Sequence, residues 1–194
     1  MTPTRLRTLA AATAVAFCSV AFVGCTTTRL DDRGSTSSSR TSADAQVDAS
    51  LSKLYDTVPG SRELVARSSG VLVFPSVIGA SLGIGAEYGR GALRVNGRTQ
   101  DYYSTTAGSV GLQAGAQSKA VIYLFTTQQA LDKFRYSSGW TVGADATVAV
   151  ATMGANGSID THTAQQPVVG FVLTNVGLEA GVSLQGAKIN RIQP

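Results

Sequence analysis

The sequence predicts an α+β fold that is mainly β: a strongly curved antiparallel, glycine-rich sheet or barrel-like sheet, with an N-terminal helical segment and one short internal helix. Three observations predict it. Apolar residues recur with a period of two from Gly70 onward. Glycine falls repeatedly inside those alternating segments, with 21 glycines against 5 prolines in 194 residues. An Asn96-Gly97 pair separates two alternating runs, the strongest short signal for a tight hairpin.

Each element follows from local pattern. Val47, Leu51, Leu54, Tyr55 and Val58 lie on one stripe, which predicts a helix over 43–58 that Ser42 caps and Pro59-Gly60 ends. Ser61 to Arg67 reads as a second short helix capped by Ser61. Leu82, Ile84, Ala86 and Tyr88 alternate with Gly83, Gly85 and Glu87. The same alternation marks 110–117, 142–150 and 176–184, and Val110-Gly-Leu-Gln-Ala-Gly115 and Val176-Gly-Leu-Glu-Ala-Gly181 are near copies. Alternate side chains of a strand point to opposite faces, so each segment offers one apolar face and one glycine or small polar face. Glycine weakens a strand and is expected where strands coil sharply or backbones approach closely. Residues 120–126 read as a buried strand, and 127–134 as the short internal helix capped by Thr127. Residues 153–166 read as a loop, and 168–175 and 184–192 as the last strands.

Met1 to Gly24 reads as a signal peptide. Arg5 and Arg7 precede an uncharged apolar run from Leu9 to Val23, too short for a spanning helix of about 20 residues. The run ends in Phe22-Val23-Gly24-Cys25, which resembles a bacterial lipobox. Acylated Cys25 would carry several buried chains, enough for stable anchoring. The alternative is plain secretion with Cys25 a free thiol, a liability in an oxidising compartment. Residues 25–42 then form a lipidated tether, rich in Ser and Thr and without apolar period. Thr26, rather than Asp, after the cysteine resembles the bacterial sorting pattern for the outer membrane, and the periplasmic face is the side expected. The folded domain spans 43–194.

Composition excludes several classes. A net charge of +4, falling to +2 once Arg5 and Arg7 are removed, is too weak to imply nucleic acid. Two cysteines and one histidine exclude a Cys/His zinc cluster, so no metal and no cofactor is expected. The run from Gly83 to Gly89 has Tyr88 where a dinucleotide fingerprint needs glycine, and strand alternation runs through it. His162 sits near Asp160 in a polar run with no assignable nucleophile, so no catalytic residue is expected. Glu87, Asp145 and Glu179 fall on the glycine-bearing faces, either lining a groove or facing solvent. Arg90, Arg94, Arg98, Lys119, Lys188 and Arg191 are the candidate basic rim for lipid phosphates, with scattered solubilising charge as the alternative.

The blocks Gly70-Val-Leu-Val-Phe-Pro75, Gly79, Gly83-Ile-Gly85 and Tyr88-Gly-Arg-Gly91, followed by Gly108-Ser-Val-Gly-Leu-Gln-Ala-Gly-Ala-Gln117, resemble the SYLF domain family. Gly143-Ala-Asp145 and Gly177-Leu-Glu-Ala-Gly181 extend the resemblance over roughly 45–192. It departs at Asp101-Tyr-Tyr-Ser-Thr-Thr106, where members often carry a Trp-Ser pair, and in the acidic rather than basic helix at 43–58. The resemblance implies a non-enzymatic lipid-binding module, in some members an actin regulator. The expected function is a membrane-anchored lipoprotein whose domain binds membrane phospholipid. The other expectation is a structural or protein-binding module of the cell envelope, with an envelope protein as partner.

Overall fold

A two-stranded ribbon, bent back upon itself, organises the domain. The structure, a computed structural model, describes residues 32–154 and 157–193, all within one unit spanning Asp31–Pro194. β1 (Gly70–Val95) and β2 (Arg98–Phe125) pair antiparallel along nearly their whole lengths. They are joined by Asn96-Gly97, whose φ values of 51° and 74° are the left-handed pair that a primed two-residue turn requires. β2 is shared. Its residues 102–106 pair with β7 (Lys188–Ile192), and 120–125 pair with β5 (Val168–Thr174). Short β3 (Trp140–Thr141) adds to β7, β4 (Ala149–Val150) runs parallel to β5, and β6 (Gly177–Leu178) closes a turn against β5. The result is a strongly curled open sheet.

The curl depends on missing side chains. A Cβ on Gly91 would overlap the Val73 carbonyl oxygen and lie 2.8 Å from Phe74 Cδ1. A Cβ on Gly89 would lie 2.8 Å from Val77 Cγ2. The two limbs of β1 therefore cross backbone against backbone, a separation open only to glycine.

Two cores flank the sheet. Inside the curl, Leu72, Phe74, Leu93, Tyr123 and Phe125 meet Leu131 and Phe134 of α3 (Gln128–Arg135) and Trp140. Phe134 stacks on Phe125 at 4.9 Å and meets Trp140 edge-on at 5.4 Å. On the outer face, Val47, Leu54 and Val58 cover Val73, Ile122, Leu124, Val169 and Phe171. Leu64 of α2 (Ser61–Arg67) joins them. Every member of both cores lies between residues 47 and 189, so the chain without its first 25 residues keeps them all.

The structure corrects several sequence expectations. α1 spans Asp32–Thr57, not 43–58, so residues 32–42 are helical and Ser42 lies inside the helix. Extending a helix costs far less than nucleating one, so the packed turns template a polar extension. That extension uses its own hydroxyls: Thr41 donates to the Ser37 carbonyl at 3.0 Å. Ser61 does not cap α2, whose N-cap is Gly60. Buried Ser61 instead donates to the Leu54 carbonyl at 3.2 Å and ties the two helices. The alternation at 142–150 and 176–184 does not make long strands. Gly143, Gly177 and Gly181 take positive φ and turn the chain, while Asp145 accepts from the Thr141 N–H at 2.6 Å. The loop at 153–166 contains a short helix, α4 (Thr161–Ala164). Thr127 caps α3 as expected, accepting from the Ala130 N–H at 3.2 Å.

Gly91→Ala should lower stability by roughly 1–3 kcal/mol, the usual range for overpacking. Gly108→Ala, with open space around it, should change the urea midpoint little. A second expectation concerns alkali. Burial, with Glu87 nearby, pushes the Tyr123 phenol well above its ordinary 10.0. The native state therefore keeps that proton while the unfolded chain releases it. The resulting stability is complete below pH 10 and is lost as pH rises beyond it. Tyr123→Phe should flatten that alkaline decline in a pH series of thermal melts.

Candidate functional site

The domain carries two clefts of similar size on opposite faces of the sheet. One, about 260 Å³, lies against the N-terminal half of α1 and is lined by Ser39, Ser42, Gln46, Arg90, Tyr102 and Ile192, among others. The other, about 280 Å³, lies inside the curl and is lined by Val77, Glu87, Thr105, Tyr123, Leu184 and Gln185, among others. Glu87 thus lines a groove, as one of the two sequence alternatives holds. Its charge is spent on Lys119, 2.9 Å away, and both side chains are largely covered.

The six candidate cations divide by what they touch. Arg94 is an internal clamp: it pairs with Asp48 at 2.9 Å and donates to the Asp44 carbonyl at 3.1 Å, fixing α1 against the hairpin. Thr99 donates to the Asp44 carboxylate at 2.7 Å beside it. Lys119 is held by Glu87. Arg191 reaches Asp101 at 3.5 Å, the Arg135 carbonyl at 3.1 Å and the Tyr103 hydroxyl at 3.4 Å. The hydrogen bond to Tyr103 is the main cause that raises the guanidinium's already high pKa. Arg90, Arg98 and Lys188 are exposed and have no acidic partner among the described residues.

Register brings two of these three together. Arg90 stands opposite Ser104, which stands opposite Asn190; Tyr88 stands opposite Thr106, which stands opposite Lys188. Even-numbered partners on β2 share one face, so Arg90, Tyr88 and Lys188 lie on the face that also carries Tyr102 and Ile192. Strand spacing puts the Arg90 and Lys188 α-carbons roughly 12 Å apart. Arg98 sits beyond the turn at the other end of the hairpin and is not part of this group.

Tyr102 was not singled out by sequence reasoning, nor were Ser39, Ser42 and Gln46. Burial, then Asp44, raises the Tyr102 phenol above its ordinary value, so it stays a neutral donor. The helical spacing of Ser39, Ser42 and Gln46 is a polar stripe, but only a helix starting before 43 reveals it. Asp160 does not pair with His162: it caps α4, accepting from the Thr163 N–H at 3.0 Å, and His162 is exposed. Gly83 to Gly89 lies within β1, so no helix begins there to receive a phosphate. No described helix is long and apolar enough to cross a membrane, and no three metal-ligating side chains converge among the described residues. Cys25, the expected anchor, lies outside the described residues.

Residues 106–193 match the model of the Ysc84 family, described as Las17-binding protein actin regulator. That part of the chain is similar to the Ysc84, or SYLF, domain, in line with the resemblance carried by the glycine blocks. The match begins within β2, while the glycine blocks of 70–91 lie before it on β1 and pair with it in the same hairpin. A comparison with curated proteins finds no match. The SYLF domain is generally a binding rather than a catalytic module.

Arg94→Met should cost roughly 1.5–3 kcal/mol, the range for hydrogen bonds to charged groups. It should leave ligand binding per folded molecule unchanged, measured by chemical denaturation alongside a binding titration.

Proposed function

We propose that this protein is a lipoprotein, anchored through Cys25 in the bacterial outer membrane on its periplasmic face, whose SYLF domain binds membrane phospholipid without catalysis. The observation that carries the reading is Arg90 and Lys188, two exposed cations with no acidic partner among the described residues, on one sheet face beside a cleft with both apolar and hydroxyl-bearing walls. Anionic headgroups are the chemistry such a face recognises: fixed positive charge, hydroxyl donors, and apolar surface for the upper acyl chain. The family's association with lipid binding supports the same reading. The family's description as a Las17-binding protein actin regulator supports the second reading, a protein-binding module of the envelope.

Flotation of residues 26–194 with vesicles tests the first reading. Binding should be stronger to vesicles containing phosphatidylglycerol than to pure phosphatidylcholine, and should weaken with salt. A cation near a charged surface contributes about 1 kcal/mol, so Arg90→Ala and Lys188→Ala should each weaken binding roughly fivefold. No binding to any lipid class, with one envelope protein recovered by crosslinking, would favour the second reading.

A further inference from the structure

The cleft inside the curl, about 280 Å³, is lined by Val77 of β1, by Thr105, Val121 and Tyr123 of β2, and by Leu184 and Ala187 of the segment before β7, among others. That last segment is pinned. The Gly186 N–H donates to the Val142 carbonyl at 2.9 Å, and the Val142 N–H donates to the Ala187 carbonyl at 2.9 Å. The wall is thus held in place by the fold itself. Four of these residues, Val77, Val121, Leu184 and Ala187, are apolar and belong to the inner core. The other two are polar and buried: Tyr123 is 1% exposed and Thr105 is 5% exposed. Tyr123 meets Phe74 and Trp140 edge-on, at 6.2 and 6.0 Å. Neither its hydroxyl nor that of Thr105 has a hydrogen-bond partner among the described residues. Buried hydroxyls are ordinarily hydrogen-bonded, so two such groups on one cleft are donors held ready for a ligand.

We propose that the inner cleft binds a small uncharged molecule with an apolar body and one hydrogen-bond-accepting oxygen, the chemistry of a ketone, ester or amide. The proposal goes beyond the phospholipid reading and does not need it, since Arg90 lines the other cleft. Volume sets the size. A dry cavity of about 150 Å³ admits benzene, so this cleft suits a body of roughly ten non-hydrogen atoms. Hydrogen bonding sets the polar end. The Tyr123 phenol keeps its proton, because burial and then the Glu87 charge raise its pKa, so it donates to an acceptor. Charge excludes the ionised alternatives. Glu87 also lines the cleft and repels an anion, while Lys119, 2.9 Å away, already takes the attraction that Glu87 would offer a cation. A bare hydrocarbon chain would displace water from both hydroxyls and return no hydrogen bond, which lowers its affinity. A neutral acceptor on an apolar body answers all of these walls at once.

The test titrates residues 26–194 with methyl heptyl ketone, nonanoate and butylbenzene while following backbone amide NMR signals. The ketone should shift the signals of Thr105, Tyr123 and Leu184 saturably, and should bind more tightly than either analogue. Tyr123→Phe and Thr105→Val each keep the side chain's bulk and remove one donor. Each should weaken ketone binding roughly fivefold, the size of one neutral hydrogen bond, and leave butylbenzene binding unchanged. The near-ultraviolet dichroism of Trp140, which packs beside Tyr123, reports that each variant keeps its inner core. Absence of saturable shifts, or equal losses of ketone and butylbenzene binding in the variants, would overturn the proposal. Tighter binding of nonanoate would also overturn it and assign the cleft to an anion. Displacement of the ketone by phosphatidylglycerol vesicles would overturn it in favour of a lipid chain. Vesicle flotation of the same protein stands or falls separately, because its cations lie at the other cleft.

Discussion

The carbonyl of Val73 and the α-carbon of Gly91 meet where a side chain would have no room. That crossing turns a long hairpin into a bent one. Once the limbs cross, the sheet has an inside, which the aromatic group around Phe134 and Trp140 fills, and an outside, which α1 and α2 cover. It also fixes where the ribbon must bend. Near the bend, β2 runs beyond its registers with β5 and β7, which cover 120–125 and 102–106.

Charge is divided along the same lines. Arg94 sits where α1 must be held to the hairpin, and its partners Asp44 and Asp48 are the acidic residues that made the helix look unlike a membrane-facing one. Those acids face inward in part, toward a guanidinium rather than a lipid. Lys119 neutralises a glutamate that would otherwise lie largely covered beside the inner cleft. Arg191 braces β7 against Asp101 and the end of α3. An exposed pair contributes little to stability, but a clamp with several acceptors and small exposure contributes more. Half of the basic rim anticipated from sequence therefore serves the fold, leaving Arg90, Arg98 and Lys188 exposed, of which Arg90 and Lys188 share one sheet face.

Much of this was legible in the residues, and each failure has a physical cause. The Asn96-Gly97 turn, the Thr127 cap and the apolar run of β2 at 120–125 are local signals, and they gave local structure. Val110-Gly-Leu-Gln-Ala-Gly115 and Val176-Gly-Leu-Glu-Ala-Gly181 show the limit. The first lies within β2, where a long partner fixes every residue as extended; the second follows β5 into a turn, with Gly177 and Gly181 at positive φ. Alternation with glycine suits either outcome, and the neighbour across the sheet decides. The start of α1 was hidden for the opposite reason: residues 37–42 are exposed, so no apolar period marks them. The cleft that α1 helps to wall was invisible in consequence.

The proposed surface is weak by construction. Two cations offer about 1 kcal/mol each. Such contacts do not recruit a protein from dilute solution. They suffice once the domain is already held beside the bilayer, because tethering converts binding into an intramolecular event with a high effective concentration. An acylated Cys25 would supply that tether, and the domain would then sample the surface reversibly. The two proposals support one another: an anchor of that kind would make strong headgroup recognition unnecessary.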